Sequence, residues 1–176
     1  LMGIGTTADS LAAIEQAVFI DRACTMTELR DALADDFVGH EALRQRLLAA
    51  PKYGNDEPLP DKYAVWCTRF LADAFARYRT RDGGGVYIAM AANTANIYAG
   101  QTIGATPDGR RAGEPLSDAS SPTYGRDVNG PTTTLLSVSK PDYTRAACGS
   151  ADAICSNAVS SIAVDTNHDS KALGGR

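Results

Sequence analysis

Apolar residues recur at helical spacing through the first half of the chain and lose that period in the second. In "ADSLAAIEQAVFI", Leu11, Ile14 and Val18 repeat at three- and four-residue intervals, with the oxygens of Thr6, Thr7 and Asp9 ahead of them as N-cap candidates. "TMTE" sets Thr25 and Glu28 at capping-box spacing, in which each side chain satisfies the other's orphan backbone N–H. A second helix therefore carries Leu29, Ala32 and Leu33 inward and stops near residues 37–39. "HEALRQRLLAA" predicts a third helix through Leu43, Leu47 and Leu48, which Pro51 ends by disfavouring helical geometry in the residue before it. After the loop "PKYGNDEPLP", a helix of about twenty residues starts at Asp61. Its apolar stripe of Tyr63, Trp66, Cys67, Phe70, Leu71, Ala74 and Tyr78 is the face expected to lie against a sheet or barrel. "RTRDGGG" closes that helix with basic residues and then glycines.

Beyond Gly85 the pattern changes. "VYIAMAANTANIY" reads as one strand or two short ones, and "TTTLLSVSK" as another. Between them, residues 99–131 show almost no periodicity, and a structureless stretch of that length in a compact domain is generally functional or disordered. Its turn chemistry argues for order. In "ATPDG", Pro107 and Asp108 take the central turn positions and Gly109 closes the turn. Arg110 and Arg111 can then reach Glu114, Asp118 or carbonyls of neighbouring elements. The stretch is thus read as an ordered surface or inter-element loop.

Composition narrows the class without naming a reaction. With 176 residues, 44% hydrophobic and 22% charged, the chain has the length and make-up of about one soluble domain. A net charge of −4, with no basic clusters beyond pairs, gives no nucleic-acid footprint. No apolar run approaches the ~18 residues that would predict a membrane span, and "LMGIGTTADS" has neither region of a signal peptide. The chain opens on Leu1 with Met2 behind it, as a fragment would. Cysteines 24, 67, 148 and 155 form no C-x-x-C pair, so they read as reduced thiols of a cytoplasmic protein.

Common catalytic signatures do not fit. "GIGTTADS" lacks the strand and third glycine of a dinucleotide fingerprint, and "GGGVYIAM" lacks the Lys-Ser/Thr of a phosphate loop. His40 and His168 are isolated and no G-x-S-x-G is present, which leaves a hydrolase triad without support. Asp35 and Asp36 read as solvated charges at a helix end.

Three segments taken together resemble the glycyl radical enzyme family, which includes pyruvate formate-lyase and the glycerol, hydroxyproline and choline lyases. They are "TTADSLAAI" at 6–14, "PKYGNDEP" at 51–58, and "GATPDGRRAGEPLSD…SPTYGRDVNGPTTTLLSVSK" at 104–140. The resemblance implies an α/β fold: part of a ten-stranded β/α barrel, with a helix-rich first half, then two or three strands and a long ordered loop. Residues 1–145 would be the C-terminal portion of the barrel domain, and 146–176 a divergent or truncated tail where the glycine radical region begins. The activity implied is radical C–C, C–O or C–N cleavage of a small-molecule substrate by a lyase, a dehydratase or a formate acetyltransferase-like enzyme. The implied partners are that substrate and a radical-activating enzyme using S-adenosylmethionine and an iron–sulfur cluster, with a homodimer at full length. No cofactor would be bound directly.

The family's active-site cysteine motif lies upstream of this segment, and its glycyl-loop motif is not matched by "SKALGGR". No catalytic residue is therefore assigned to the chain, and a non-catalytic remnant that kept the scaffold is the alternative reading. Alternation along "AANTANIY" would put Ala92, Thr94, Asn96 and Tyr98 on one face of a strand. The corresponding family strand lines the cavity, so Thr94 and Asn96 are the candidate contacts to substrate or glycyl loop. Asn55 and Asp56 are expected to tie down a loop. Folded alone, the segment should expose strand edges and part of its aromatic helix, and be unstable.

Overall fold

The computed structural model describes residues 1–90, 94–155 and 158–164. Helix α1 (Ile4–Ile14) begins one residue past Gly3 and continues into a π-helical turn over residues 15–20. Its start lies ahead of the expected caps. Thr6 and Asp9 instead face inward and are almost fully buried. Helix α2 (Met26–Ala34) has the expected capping box, with Glu28 N donating to Thr25 Oγ1 and Thr25 N to Glu28 Oε2. It ends in a turn where Asp36, Phe37 and Gly39 all have positive φ. Helix α3 (Glu41–Ala49) stops just ahead of Pro51 as predicted.

Helix α4 (Pro58–Phe75) packs along α1, and its inward face differs from the predicted stripe. Ala64, Cys67, Thr68 and Ala72 are buried, whereas Trp66 and Phe70 are 54% and 55% exposed and stack on each other at 5.2 Å. The facing surface of α1 presents Ala8 and Ala12, both without solvent exposure. Two helices meeting through alanines approach closely, and bulky rings do not fit between them. The aromatic residues are therefore turned outward.

Strand β1 (Ile88–Met90) pairs in parallel with β2 (Ala146–Cys155), which pairs antiparallel with β3 (Ala158–Val164). Two expected strands are helices. Helix α5 (Ala95–Thr102) replaces the strand drawn through "NTANIY", and α6 (Pro131–Ser139) replaces the one in "TTTLLSVSK". Ala92 and Asn93 lie outside the described residues. In α6, Pro131 occupies the first helical turn, where its missing N–H costs nothing. Thr133 and Thr134 hydroxyls donate back to the Gly130 carbonyl, so the β-branched run is accommodated in a helix.

One core cluster joins α1 and α4 to β1 through Ile4, Ala8, Ala64, Cys67, Ile88 and Met90. A second sits under α2 and α3 around Leu29, Ala32, Phe37 and Leu47. The long non-periodic stretch runs between the elements and is largely interior: Asp108, Arg110, Ser117, Ser120 and Ser121 are each at most 2% exposed.

Candidate functional site at the end of strand β1

Met90 closes β1 and is fully buried, with the Ser120 hydroxyl 3.6 Å from its sulfur. Thr94 follows the undescribed residues in the left-handed region, at φ 59°, and is exposed as the N-cap of α5. A β-branched residue in that region is sterically strained, and such strain persists only where the surroundings fix it. The alternation that placed Thr94 and Asn96 on one strand face does not hold, because Asn96 lies in a helix and has no exposed surface. Its side-chain Nδ2 donates to the Leu116 carbonyl at 2.9 Å, and its own carbonyl accepts from Leu116 N at 3.2 Å. Asn96 Oδ1 is buried without a hydrogen-bond partner.

Residues 114–121 form a strap held on both sides. On one side α5 touches it through Gly100, where an added Cβ would lie 2.2 Å from the Glu114 carbonyl oxygen. On the other, Thr6 N donates to Ser117 Oγ at 3.0 Å and Ser117 N to Thr6 Oγ1 at 2.8 Å, which locks the strap to α1. The strap thus sets the distance between α1 and the helix that follows β1.

The turn before the strap is closed as its sequence predicts, with Gly109 N donating to the Thr106 carbonyl at 3.0 Å. The Arg110 guanidinium, buried with its residue only 2% exposed, donates to the carbonyls of Ile103, Gly104, Arg111 and Glu114 and to Thr106 Oγ1. Five donors in a planar fork suit this cage of carbonyls better than an ammonium would. Arg111 reaches outward to the Asp36 carbonyl and to Glu41 Oε2 at 3.0 Å. Both arginines anchor the turn.

The three segments that carry the resemblance meet in one buried polar junction. Asp9 Oδ1 accepts from Tyr53 N at 2.7 Å, and Ser10 Oγ lies 3.5 Å from Asp108 Oδ1. The Asn55 amide donates to the carbonyls of Lys52 and Arg126, and its oxygen accepts from Val128 N and Asn129 N. Asp56 pairs with Lys140, so both residues fasten loops as expected. Burial pushes the Asp9 carboxyl up to about 7, against the pull of Tyr53 N–H and Lys52. Burial likewise raises Asp108 and lowers Lys52 to about 8. The junction carries perturbed groups, but Asp9, Tyr53 and Asp108 have no exposed surface and their polar atoms serve to join the three segments. Sequence reasoning had not singled out Asp9, Lys52 and Tyr53 as a group; the available clue was a carboxylate among small residues on the inward face of α1.

The thiols whose side chains are described do not form a reaction centre. Cys67 packs in the α1–α4 core and Cys24 precedes α2, both with thiols raised by burial. Among the described residues, no three His, Cys, Asp or Glu side chains are grouped to hold a metal, and no helix is long and apolar enough to cross a membrane.

Comparison with known proteins gives this arrangement its family. The sequence profile of the family described as pyruvate formate lyase-like matches residues 1–100. Isethionate sulfite-lyase of Bilophila wadsworthia (strain 3_1_6) is 43% identical over 136 residues, which is 77% of this chain and 16% of that protein. The glycerol-bound B12-independent glycerol dehydratase of Clostridium butyricum is 38% identical with a TM-score of 0.78, over 80% of this chain and 18% of that one. The hydroxyproline dehydratase of Clostridioides difficile, solved with trans-4-hydroxy-L-proline, is 34% identical with a TM-score of 0.82, over 85% and 19%. The chain therefore spans about a sixth of the length of the curated relatives it matches. From the profile match over residues 1–100, and from relatives that share its sequence and fold, this chain belongs to the pyruvate formate-lyase-like family of glycyl radical enzymes.

Proposed function

We propose that this chain is a wall segment of a glycyl radical lyase or dehydratase that cleaves a C–C, C–O or C–N bond of a small molecule. The observation that carries the reading is the strap, which fixes the helix after β1 against α1 within a fold shared with two dehydratases. In this reading residues 1–145 form part of a ten-stranded β/α barrel, and 146–176 are a divergent tail at the start of the glycine radical region. The cysteine and the glycine that carry the radical lie on other parts of the polypeptide. A separate activating enzyme, using S-adenosylmethionine and an iron–sulfur cluster, installs the radical. The full-length protein is a cytoplasmic homodimer.

What these residues do is hold geometry and keep solvent out. Radical intermediates need a closed cavity, and a wall fixed by buried hydrogen bonds serves that end. Thr94 and Asn96 are the proposed contacts to substrate or glycyl loop. Thr94 is supported by its exposure in a strained conformation just after β1, and Asn96 by its unpartnered buried oxygen. Isolated, the chain is inactive and poorly soluble, since Phe19, Trp66, Phe70, Tyr78 and Leu136 are exposed.

The test is a chimera in which residues 1–145 replace the matching segment of the Clostridium butyricum enzyme. After anaerobic activation it should show a glycyl radical by electron paramagnetic resonance and turn over glycerol. A folded chimera with the radical but no turnover would sink the wall assignment. Within an active chimera, Thr94→Ala and Asn96→Ala should alter kcat or KM by about tenfold or more, on the scale of one lost hydrogen bond. Unchanged kinetics would remove the two contacts while leaving the wall in place.

A further inference from the structure

A cleft of about 380 Å³ opens where the end of α3 meets the 125–129 loop, remote in sequence from the β1 corner. Lys52, Asn55, Arg126 and Asn129 supply its polar lining. Lys52 is 7% exposed and donates to the carbonyls of Leu47 and Ala50 at 2.7 and 2.8 Å, closing the last turn of α3. An ammonium has three N–H donors, so one remains. Arg126 is half-buried, and its guanidinium has no hydrogen bond or ion pair to any described residue. That sets it apart from the other buried or half-buried arginines. Arg44 donates to the Gly109 carbonyl, Arg110 to its carbonyl cage, and Arg111 to Glu41 and the Asp36 carbonyl.

Among the described residues the cleft lining carries two cations, Lys52 and Arg126, against one carboxylate. Asp9 and Asp108, which do not line the cleft, act electrostatically on both Lys52 and Arg126 without an ion-pair contact to either. The positive charge of Arg126 opposes that of Lys52. The lining carboxylate is Glu57, at the start of α4. A half-buried guanidinium without acceptors keeps its donors for a ligand, and its planar fork matches an oxyanion in bidentate geometry.

We propose that this cleft binds a small oxyanion, held by the Arg126 guanidinium and the remaining Lys52 N–H, with the Asn129 amide at its edge. The ligand class is a tetrahedral dianion or a small carboxylate. This site is independent of the radical chemistry and does not rest on it. Burial of Asp9 keeps its carboxyl neutral below about 7 while Lys52 is charged below about 8. Binding should therefore strengthen as pH falls from 9 to about 6.

The test is titration of the folded chimera that carries residues 1–145 with sodium sulfate and with sodium acetate, against sodium chloride at matched ionic strength. Thermal unfolding and calorimetry are the readouts. The expected result is a rise in unfolding midpoint of about 2 °C or more and a saturable heat of binding with one of the oxyanions, where chloride gives neither. Which ion acts identifies the geometry of the ligand. Because Arg126 lacks a partner among the described residues, Arg126→Met should fold as well as the parent in chloride and lose at least tenfold in oxyanion affinity. Arg126→Lys should retain part of the response. Sulfate also stabilises proteins non-specifically by exclusion from their surface. An equal response in the parent and Arg126→Met, or no response in the parent, would overturn the site.

Discussion

The strap region and helix α4 invert what their sequences suggest about burial. Residues 104–127 are rich in glycine, proline and charge, yet contain Asp108, Arg110, Ser117 and Ser121, all essentially without solvent exposure. Helix α4 has a long aromatic stripe, yet Trp66, Phe70 and Tyr78 are each more than half exposed. Hydrophobicity alone does not say which side of an element is inside. In the strap, burial is made tolerable by an internal partner for most polar groups, and in α4 the close contact with an alanine face excludes large rings.

The sharpest way to break this contrast is to remove the strap's anchor. Arg110→Met leaves several buried carbonyls without donors, each worth about 1–3 kcal/mol, so we expect a loss of about 4 kcal/mol or outright unfolding in urea titrations. A loss below about 1 kcal/mol would mean the cage is ornamental. Gly100→Ala comes next. Its methyl would meet the Glu114 backbone at 2.2 Å, where a main-chain atom cannot swing aside. Overpacking of this kind costs about 1–3 kcal/mol, and in an active chimera it should lower turnover through displacement of α5.

A smaller effect separates the junction from the rest by pH. A carboxyl raised from 3.8 to about 7 in the fold holds a proton that the unfolded chain has released, so stability is complete below about 4 and falls as pH rises through 7. Lys52, lowered from 10.5 to about 8, works in the opposite sense: its contribution is complete above 10.5 and is lost as pH falls through 8. Urea midpoints should thus pass through a minimum between about 7 and 8. Asp9→Asn should flatten the limb below 7, and an unchanged slope would remove Asp9 from its cause. The smallest change is expected on the aromatic face. Trp66→Ser should shift unfolding by only about 0.5–1 kcal/mol while reducing self-association in sedimentation. A loss of several kcal/mol would show that the face is buried after all.

The helices of the first half and one turn of the second were legible in the sequence because their signals are local. The Thr25–Glu28 capping box, the stop before Pro51 and the turn at residues 106–109 each depend on residues within one helical turn. Asn55 could be read as a loop fastener for the same reason, although its partners at Arg126, Val128 and Asn129 could not. The error at Asn96 has a physical origin too. The polar-apolar alternation of "NTANIY" fits a strand, but Asn96 bonds the Leu116 backbone of the strap from within helix α5, a partner twenty residues away that local alternation does not reveal. The threonine run before Leu135 misled in the same way, since its hydroxyls bond back to Gly130 and let a β-prone stretch coil.

By itself the sequence determined the caps, stops and turns, and it supplied three separated motifs that point to one family. It could do so because each is written in a few adjacent residues. Only the tertiary structure decided that Asp9, Tyr53, Asn55 and Asp108 share one interior junction, that Trp66 and Phe70 face out, and that Arg126 stands without an acceptor among the described residues. Those outcomes depend on which surfaces meet across about a hundred residues of intervening chain, and close packing and hydrogen-bond satisfaction select among such meetings only once the whole interior is assembled.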